Sequence, residues 1–289
     1  MTGISARRRA PDGRTSPAPV HADCVADSAG GLTFDVEDFG VTETWGAALV
    51  LRRRGHAGDE VRLPLTPAGE GALRAVLPST MELGEGRWDA YADPGGAEDG
   101  AEAVRLAPRV NDLRSLVDRR PSGARGGVAV RIPYATRNGN LSVRSWLRAP
   151  HAEAGEIRLA SGTMSLRGRL YGYSFGPGAR AEARCRTEPG EARRAALAVE
   201  GEEFTLTLGF APLTRAGLRK GERRPWDLWL RPGGDAGPEA RLARLLDDVP
   251  DRKHIFVYPA QRLDTKHGPV SAGPYYTVDN DLSVLVEAL

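Results

Sequence analysis

Apolar and polar residues alternate along this chain in short runs, and helical spacing is rare. Leu32-Thr33-Phe34-Asp35-Val36 and Val61-Arg62-Leu63-Pro64-Leu65 step with a period of two. Successive side chains of a strand point to opposite faces, so such runs predict half-buried strands. Ala48 to Leu51, Leu73 to Leu77, Arg87 to Ala92, Val128 to Tyr134 and Leu141 to Leu147 read the same way. Thr163 to Arg169, Ala179 to Arg186, Ala195 to Val199, Phe204 to Phe210, Pro225 to Leu230, Ile255 to Tyr258 and Leu282 to Glu287 follow. Gly and Pro punctuate these runs every roughly eight to twelve residues, the spacing of an all-β sandwich with about seven short strands per unit. Leu242, Leu245, Leu246 and Val249 recur at helical spacing, which predicts one short helix over Glu239 to Val249. Asn138-Gly139 between two strand-like runs predicts a tight type I′ hairpin, and Asp279-Asn280 takes the same place later in the chain.

The strand pattern occurs twice. Pro133-Tyr134-Ala135-Thr136 through Leu141-Ser142-Val143 returns as Pro274-Tyr275-Tyr276-Thr277 through Leu282-Ser283-Val284. Trp88-Asp89-Ala90-Tyr91 returns as Trp226-Asp227-Leu228-Trp229, and Arg105-Leu106-Ala107 as Arg241-Leu242-Ala243. Three blocks in one order at nearly one spacing describe two tandem copies of a domain. The expected fold class is all-β, as two tandem immunoglobulin-like sandwiches over residues 30–150 and 151–289. Residues 1–29 are rich in Arg, Pro, Ser, Asp and Ala and are expected to form a disordered tail. The link between copies is expected near Ala149 to Gly155.

Composition changes this picture little. The net charge of +2 gives no reason to expect a nucleic-acid partner. The basic residues are arginines apart from Lys220, Lys253 and Lys266, which suggests a GC-rich, actinobacterial genome rather than phosphate recognition. No run of eighteen apolar residues is present to span a membrane, and the N-terminus lacks the apolar core of a secretory signal. A cytoplasmic location is therefore expected. Cys24 and Cys185 fall in different units and are not expected to pair.

The Trp-Asp strand offers the sharpest candidates. Trp88 and Trp226 share a face with small or apolar neighbours and are expected in the core. Tyr91 and Trp229 point the other way. They are the candidate ligand- or partner-binding residues, as a stacking platform for a sugar or a docking protein. The alternative is burial under a neighbouring strand, the tail or the partner copy. The tyrosine of each Pro-Tyr block is expected to pin its strand through a hydroxyl–backbone bond. No catalytic, cofactor or metal motif is recognised: the five histidines are scattered, and no phosphate-binding loop or nucleophile elbow is found. Asp247-Asp248 and Asp279-Asn280-Asp281 carry oxygen ligands, but Asn138-Gly139-Asn140 in the first copy argues against a shared cation site.

The twin Pro-Tyr-X-Thr blocks and Trp-Asp strands, over about residues 30–289, resemble the tandem β-sandwich regions that accompany actinobacterial teichoic-acid-type glycosyltransferases and glycerophosphotransferases. That resemblance carries no catalytic residue and implies an accessory part without a transferase domain. It implies recognition of a cell-envelope glycan or polyol-phosphate polymer, or of the glycosyltransferase that makes it. Two alternatives stand beside it. One is a transferase with its site between the copies, and the other is a purely structural spacer.

Overall fold

The computed structural model describes residues 19–40, 45–95, 102–117, 119–121, 126–215 and 218–289. Among them the chain is all-β, with short 3-10 turns and no α-helix. The first half comprises β1 (Val20–Ala26), β2 (Leu32–Glu37), β3 (Ala48–Arg53), β4 (Glu60–Pro64) and β5 (Thr66–Pro67). It continues with β6 (Ala72–Leu77), β7 (Gly86–Asp93), β8 (Val104–Asp112), β9 (Val128–Ala135) and β10 (Leu141–Arg148). The second half comprises β11 (His151–Ala160), β12 (Thr163–Tyr171), β13 (Arg180–Cys185), β14 (Ala192–Glu200) and β15 (Glu203–Gly209). It ends with β16 (Arg223–Arg231), β17 (Ala240–Ala243), β18 (Gln261–Thr265), β19 (Gly268–Tyr276) and β20 (Leu282–Ala288).

Each half is one ten-stranded sheet folded on itself. In the first, β4-β3-β7-β10-β9 form one layer and β5-β6-β2-β1-β8 the other, with β8 joining them by pairing both β1 and β7. The second half pairs in the same scheme, down to the parallel contacts β1–β8 and β11–β17. Period-two alternation places one residue set of each strand inside. Phe34, Val36, Leu49, Leu51, Trp88 and Ala90 fill the first core, and Leu166, Leu206, Trp226, Leu228 and Val284 the second. Trp88 and Trp226 are the buried plugs that the alternation predicts.

Several expectations change: Ile255 to Tyr258 is irregular rather than a strand, and each half carries ten strands rather than about seven. Residues 20–26 are not tail: β1 sits between β2 and β8, with Ala22, Cys24 and Ala26 buried, while residues 1–18 lie outside the described set. The alternation in His21-Ala22-Asp23-Cys24-Val25-Ala26 uses small residues, whose weak hydrophobicity hid a strand. Glu239 to Val249 is not a helix. It is the short strand β17 followed by a loop, because Leu245 leaves its own half to pack in the first core. The β9–β10 connection is a five-residue loop rather than a two-residue turn. Gly139 and its counterpart Asn280 take the positive φ, and Thr136 Oγ1 accepts the Asn140 N–H at 3.1 Å. The link is also shorter than expected: only Ala149-Pro150 separates β10 from β11, and His151 is a fully buried strand residue.

The two halves share a welded boundary. Ala243 and Leu245 belong to the first hydrophobic core, with Leu246 packed against it. Trp146 donates from Nε1 to the Asp279 carbonyl at 3.1 Å, and Arg144 pairs with the Asp279 carboxylate. Arg148 reaches Asp281 at 2.6 Å and Glu85 at 2.8 Å; its burial opposes the charge, and those two carboxylates more than compensate. Glu153 accepts the backbone N–H groups of Leu245 and Leu246 and faces His151 Nε2 at 2.7 Å. That carboxylate fixes the loop that crosses into the first core.

Candidate functional site

The three repeated blocks meet at one point in each half. In the first, Ser142 Oγ donates to Asp89 Oδ1 at 2.7 Å, Arg105 lies 2.7 Å from the same oxygen, and Arg54 reaches it at 2.6 Å. In the second, Ser283 Oγ donates to Asp227 Oδ1 at 2.9 Å, Arg241 lies at 2.7 Å, and Arg186 completes the set. The register brings these residues together: Asp89 pairs across to Ser142 on β10 and to Arg52 on β3. Burial works to raise both carboxyls, but hydrogen bonds from Arg54 and Ser142, and from Arg186 and Ser283, outweigh it. The charges of Arg105 and Arg241 add to them, so both acids are held below the usual carboxylate range. Each aspartate is saturated by cations and is not a free acid or base.

Tyr91 and Trp229 lie on the same faces. The guanidinium carbons of Arg52 and Arg105, from strands on either side of β7, stand 4.8 and 4.9 Å from the Tyr91 ring centre. Arg184 and Arg241 stand 4.8 and 5.5 Å from Trp229. Both rings are half-buried. The platform expected there is therefore already stacked with the protein's own cations, an arrangement worth about 0.5–1 kcal/mol per contact at exposed sites. At Tyr275 of the second Pro-Tyr block the hydroxyl meets the Arg186 guanidinium, a side chain where a backbone group was expected. The threonines do the pinning: Thr277 Oγ1 accepts the N–H groups of Asp279 and Asp281, each at 3.2 Å.

Three of the acidic candidates are likewise engaged by arginines. Asp247 pairs with Arg252, and Asp279 and Asp281 with Arg144 and Arg148. Among the described residues no group of three or more His, Cys, Asp or Glu is arranged to hold a metal. Cys24 and Cys185 are buried and unbridged. The junction of the halves holds a pocket of about 140 Å³ beside Tyr171, between Arg120 and Arg169. Arg169 is itself held by Glu202 and by Glu203 at 2.6 Å.

An open cleft recurs at one place in both halves. In the first it measures about 500 Å³ and is lined by Trp45, Gly46, Ala47, Arg62, Pro64 and Leu65. In the second it measures about 540 Å³ and is lined by Gly178, Ala179, Arg180, Arg194 and the Gly233-Gly234 turn. Gly46, Ala47 and Arg62 correspond to Gly178, Ala179 and Arg194 at a constant spacing in the strands that build both clefts. Glycine is required beside the first: a Cβ on Gly95 would stand 2.4 Å from the Gly46 carbonyl carbon. Trp45 is 91% exposed. Nothing in the sequence marks it, because a lone tryptophan in a loop has no alternation to assign it a face.

No protein-family model matches the chain, and no curated protein matches it. Solved structures similar to it include TarS of S. aureus, a teichoic acid glycosyltransferase, at 11% identity and a TM-score of 0.37. That alignment covers 56% of this chain and 28% of TarS. A TarS fragment, residues 217–571, aligns at 10% identity over 70% of this chain and 44% of its own, with a TM-score of 0.36. A pullulanase from Anoxybacillus sp. LM18-11, complexed with maltotriose, aligns at 11% identity and a TM-score of 0.26 over 76% of this chain and 25% of its own. The chain thus spans less than half the length of these structures.

Proposed function

We propose that this protein is a non-catalytic recognition module of two tandem immunoglobulin-like sandwiches that binds a cell-envelope glycan. The observation that carries the reading is Trp45. A large aromatic at 91% exposure, beside an open cleft walled by Ala47, Pro64 and Leu65, is an apolar plate with a polar edge. A pyranose ring offers the matching surface, with aliphatic C–H groups on its face and hydroxyls at its rim. Arg62 stands at the cleft with its charge offset by Asp93 at 2.8 Å and Glu60 at 3.3 Å, which suits a neutral sugar. The matched pairing of β1–β8 and β11–β17 supports the tandem-sandwich description. The transferase alternative draws less support, because the pocket at the boundary between the halves is small, about 140 Å³, and its Arg169 is already held by Glu202 and Glu203.

The test is a titration of the full chain with glucose and N-acetylglucosamine, as monosaccharides and as trisaccharides, followed by tryptophan fluorescence and calorimetry. Saturable binding by one of them is expected, with roughly tenfold weakening in Trp45→Ala, the equivalent of about 1.4 kcal/mol. The melting temperature should stay nearly constant, as for a surface change. Failure of every sugar to bind, or equal binding by Trp45→Ala, would sink the reading.

A further inference from the structure

We propose that the second-half cleft is a binding site for a phosphate-type oxyanion, with Arg194 as its principal contact. The two clefts occupy equivalent places but differ in chemistry. The first carries Trp45 and an arginine already neutralised. The second has Pro177 where Trp45 stands, walls of Gly178, Gly233 and Gly234, and the exposed Arg194. Among the described residues the Arg194 guanidinium makes no hydrogen bond or ion pair, its charge reaching Asp235 only at longer range, whereas its counterpart Arg62 makes both with Asp93 and Glu60.

The surroundings explain why Arg194 lacks a carboxylate. Its cross-strand neighbour is Glu182, but that one side chain already serves Arg184 at 2.5 Å, Arg231 at 3.2 Å and Arg180 at 3.8 Å. Asp235 at the rim is engaged by Arg180 and Arg231, and its carboxyl is held below the usual range chiefly by the Arg180 hydrogen bond. Glu239, the third carboxylate on this face, is taken by Arg184 and Arg231, so of the four arginines Arg194 is the one left at the cleft without an ion pair. Glycine walls leave backbone within reach of a small ligand. A guanidinium fork with a second arginine fixed beside it matches the oxygens of a phosphate group.

The test uses the full chain at low salt, titrated by calorimetry with inorganic phosphate, glycerol 3-phosphate and glycerol. Both phosphates are expected to bind and glycerol is not. Arg194→Ala should weaken phosphate roughly tenfold, as loss of one charge-assisted contact does. Arg158→Ala, an exposed arginine paired with Glu156 on β11, should leave phosphate binding unchanged. Tighter binding of glycerol 3-phosphate than of inorganic phosphate would support the site and assign it to an esterified ligand. Equal affinity would support the site and assign it to the free anion. Absence of saturable phosphate binding, or equal loss in Arg158→Ala and Arg194→Ala, would overturn the proposal. Trp45→Ala separates it from sugar binding: that variant should keep phosphate affinity whether or not sugars bind the first cleft.

Discussion

In the second half β14 runs unbroken from Ala192 to Glu200, its first residues paired to β13 and its later ones to β15. With β13 also paired to β16, the strands β13-β14-β15-β12-β11-β17-β16 close into a ring. In the first half the corresponding stretch is split. β4 pairs with β3, β5 pairs with β6, and Leu65 lies between them. Pro64 and Pro67 stand where the second half has Ala196 and Val199. Proline has no N–H to donate to a ladder. The halves share most of their pairing scheme, β18 having no counterpart in the first, and they differ in closure at this stretch, where the prolines flank the interruption at Leu65. The split end also contributes Pro64 and Leu65 to the lining of the cleft beside Trp45, which gives that cleft an apolar wall that its second-half counterpart lacks.

The comparison should break first at the shared plugs. Truncating Trp226 or Trp88 to alanine leaves a cavity as well as losing buried area, and each is expected to cost roughly 3–5 kcal/mol in denaturant unfolding. Trp88 also donates from Nε1 to the Gly84 carbonyl at 2.9 Å, so its removal leaves that acceptor unpaired. Because Leu245 ties the second half to the first core, either variant should lower a single shared transition. Two separated transitions would mean that the boundary is weaker than its contacts imply.

A smaller effect should appear where the rings differ. Ala196→Pro places in β14 the residue that already interrupts the first half, and is expected to cost about 1–3 kcal/mol through a lost ladder bond and strain. The reverse change, Pro64→Ala, should move stability by no more than about 1 kcal/mol, since it restores a donor but loosens the unfolded chain. Hydrogen exchange along β15 reads the first variant directly. Unchanged protection there would show that the continuous strand is not what closes the ring.

The smallest expected difference is in acid. Asp89 and Asp227 are both held below the usual range, so each stabilises the fold above the unfolded carboxyl value of about 3.9. That contribution is lost as pH falls through the folded value. Asp227→Asn and Asp89→Asn should each flatten the fall in stability below about pH 4. Asp227 is the more enclosed of the two, so its variant should flatten it more. Parallel acid titrations of both variants and the parent measure this; identical slopes in all three would remove the ion-pair knots from the acid response.

Much of the core was legible without coordinates. Period-two alternation is a local property, so Trp88, Trp226, Phe34 and Leu206 could be placed inside from their neighbours alone. The repeat was equally visible, because its blocks are contiguous in the chain. Their purpose was not. Asp89, Arg105 and Ser142 converge only through the pairing of β7 with β8 and β10, and no spacing along the chain encodes which strands become neighbours. The same cause covers Tyr91 and Trp229: alternation correctly turned them away from the core, but the arginines stacked on them come from flanking strands.

By itself, the sequence determined an all-β chain, a two-fold internal repeat, the identity of the core plugs and the polarity of each strand face, all consequences of side-chain alternation over a few residues. The tertiary structure decided the rest. It recruited His21 to Ala26 as an internal strand, because a run of small residues becomes stable only between two partners. It turned Glu239 to Val249 from an amphipathic pattern into a strand and a crossing loop, because Leu245 gains more by filling the other half's core than a short helix gains from its own hydrogen bonds. It also left Trp45 bare and Arg194 unpaired, since exposure and the supply of partners depend on what the folded surface brings near.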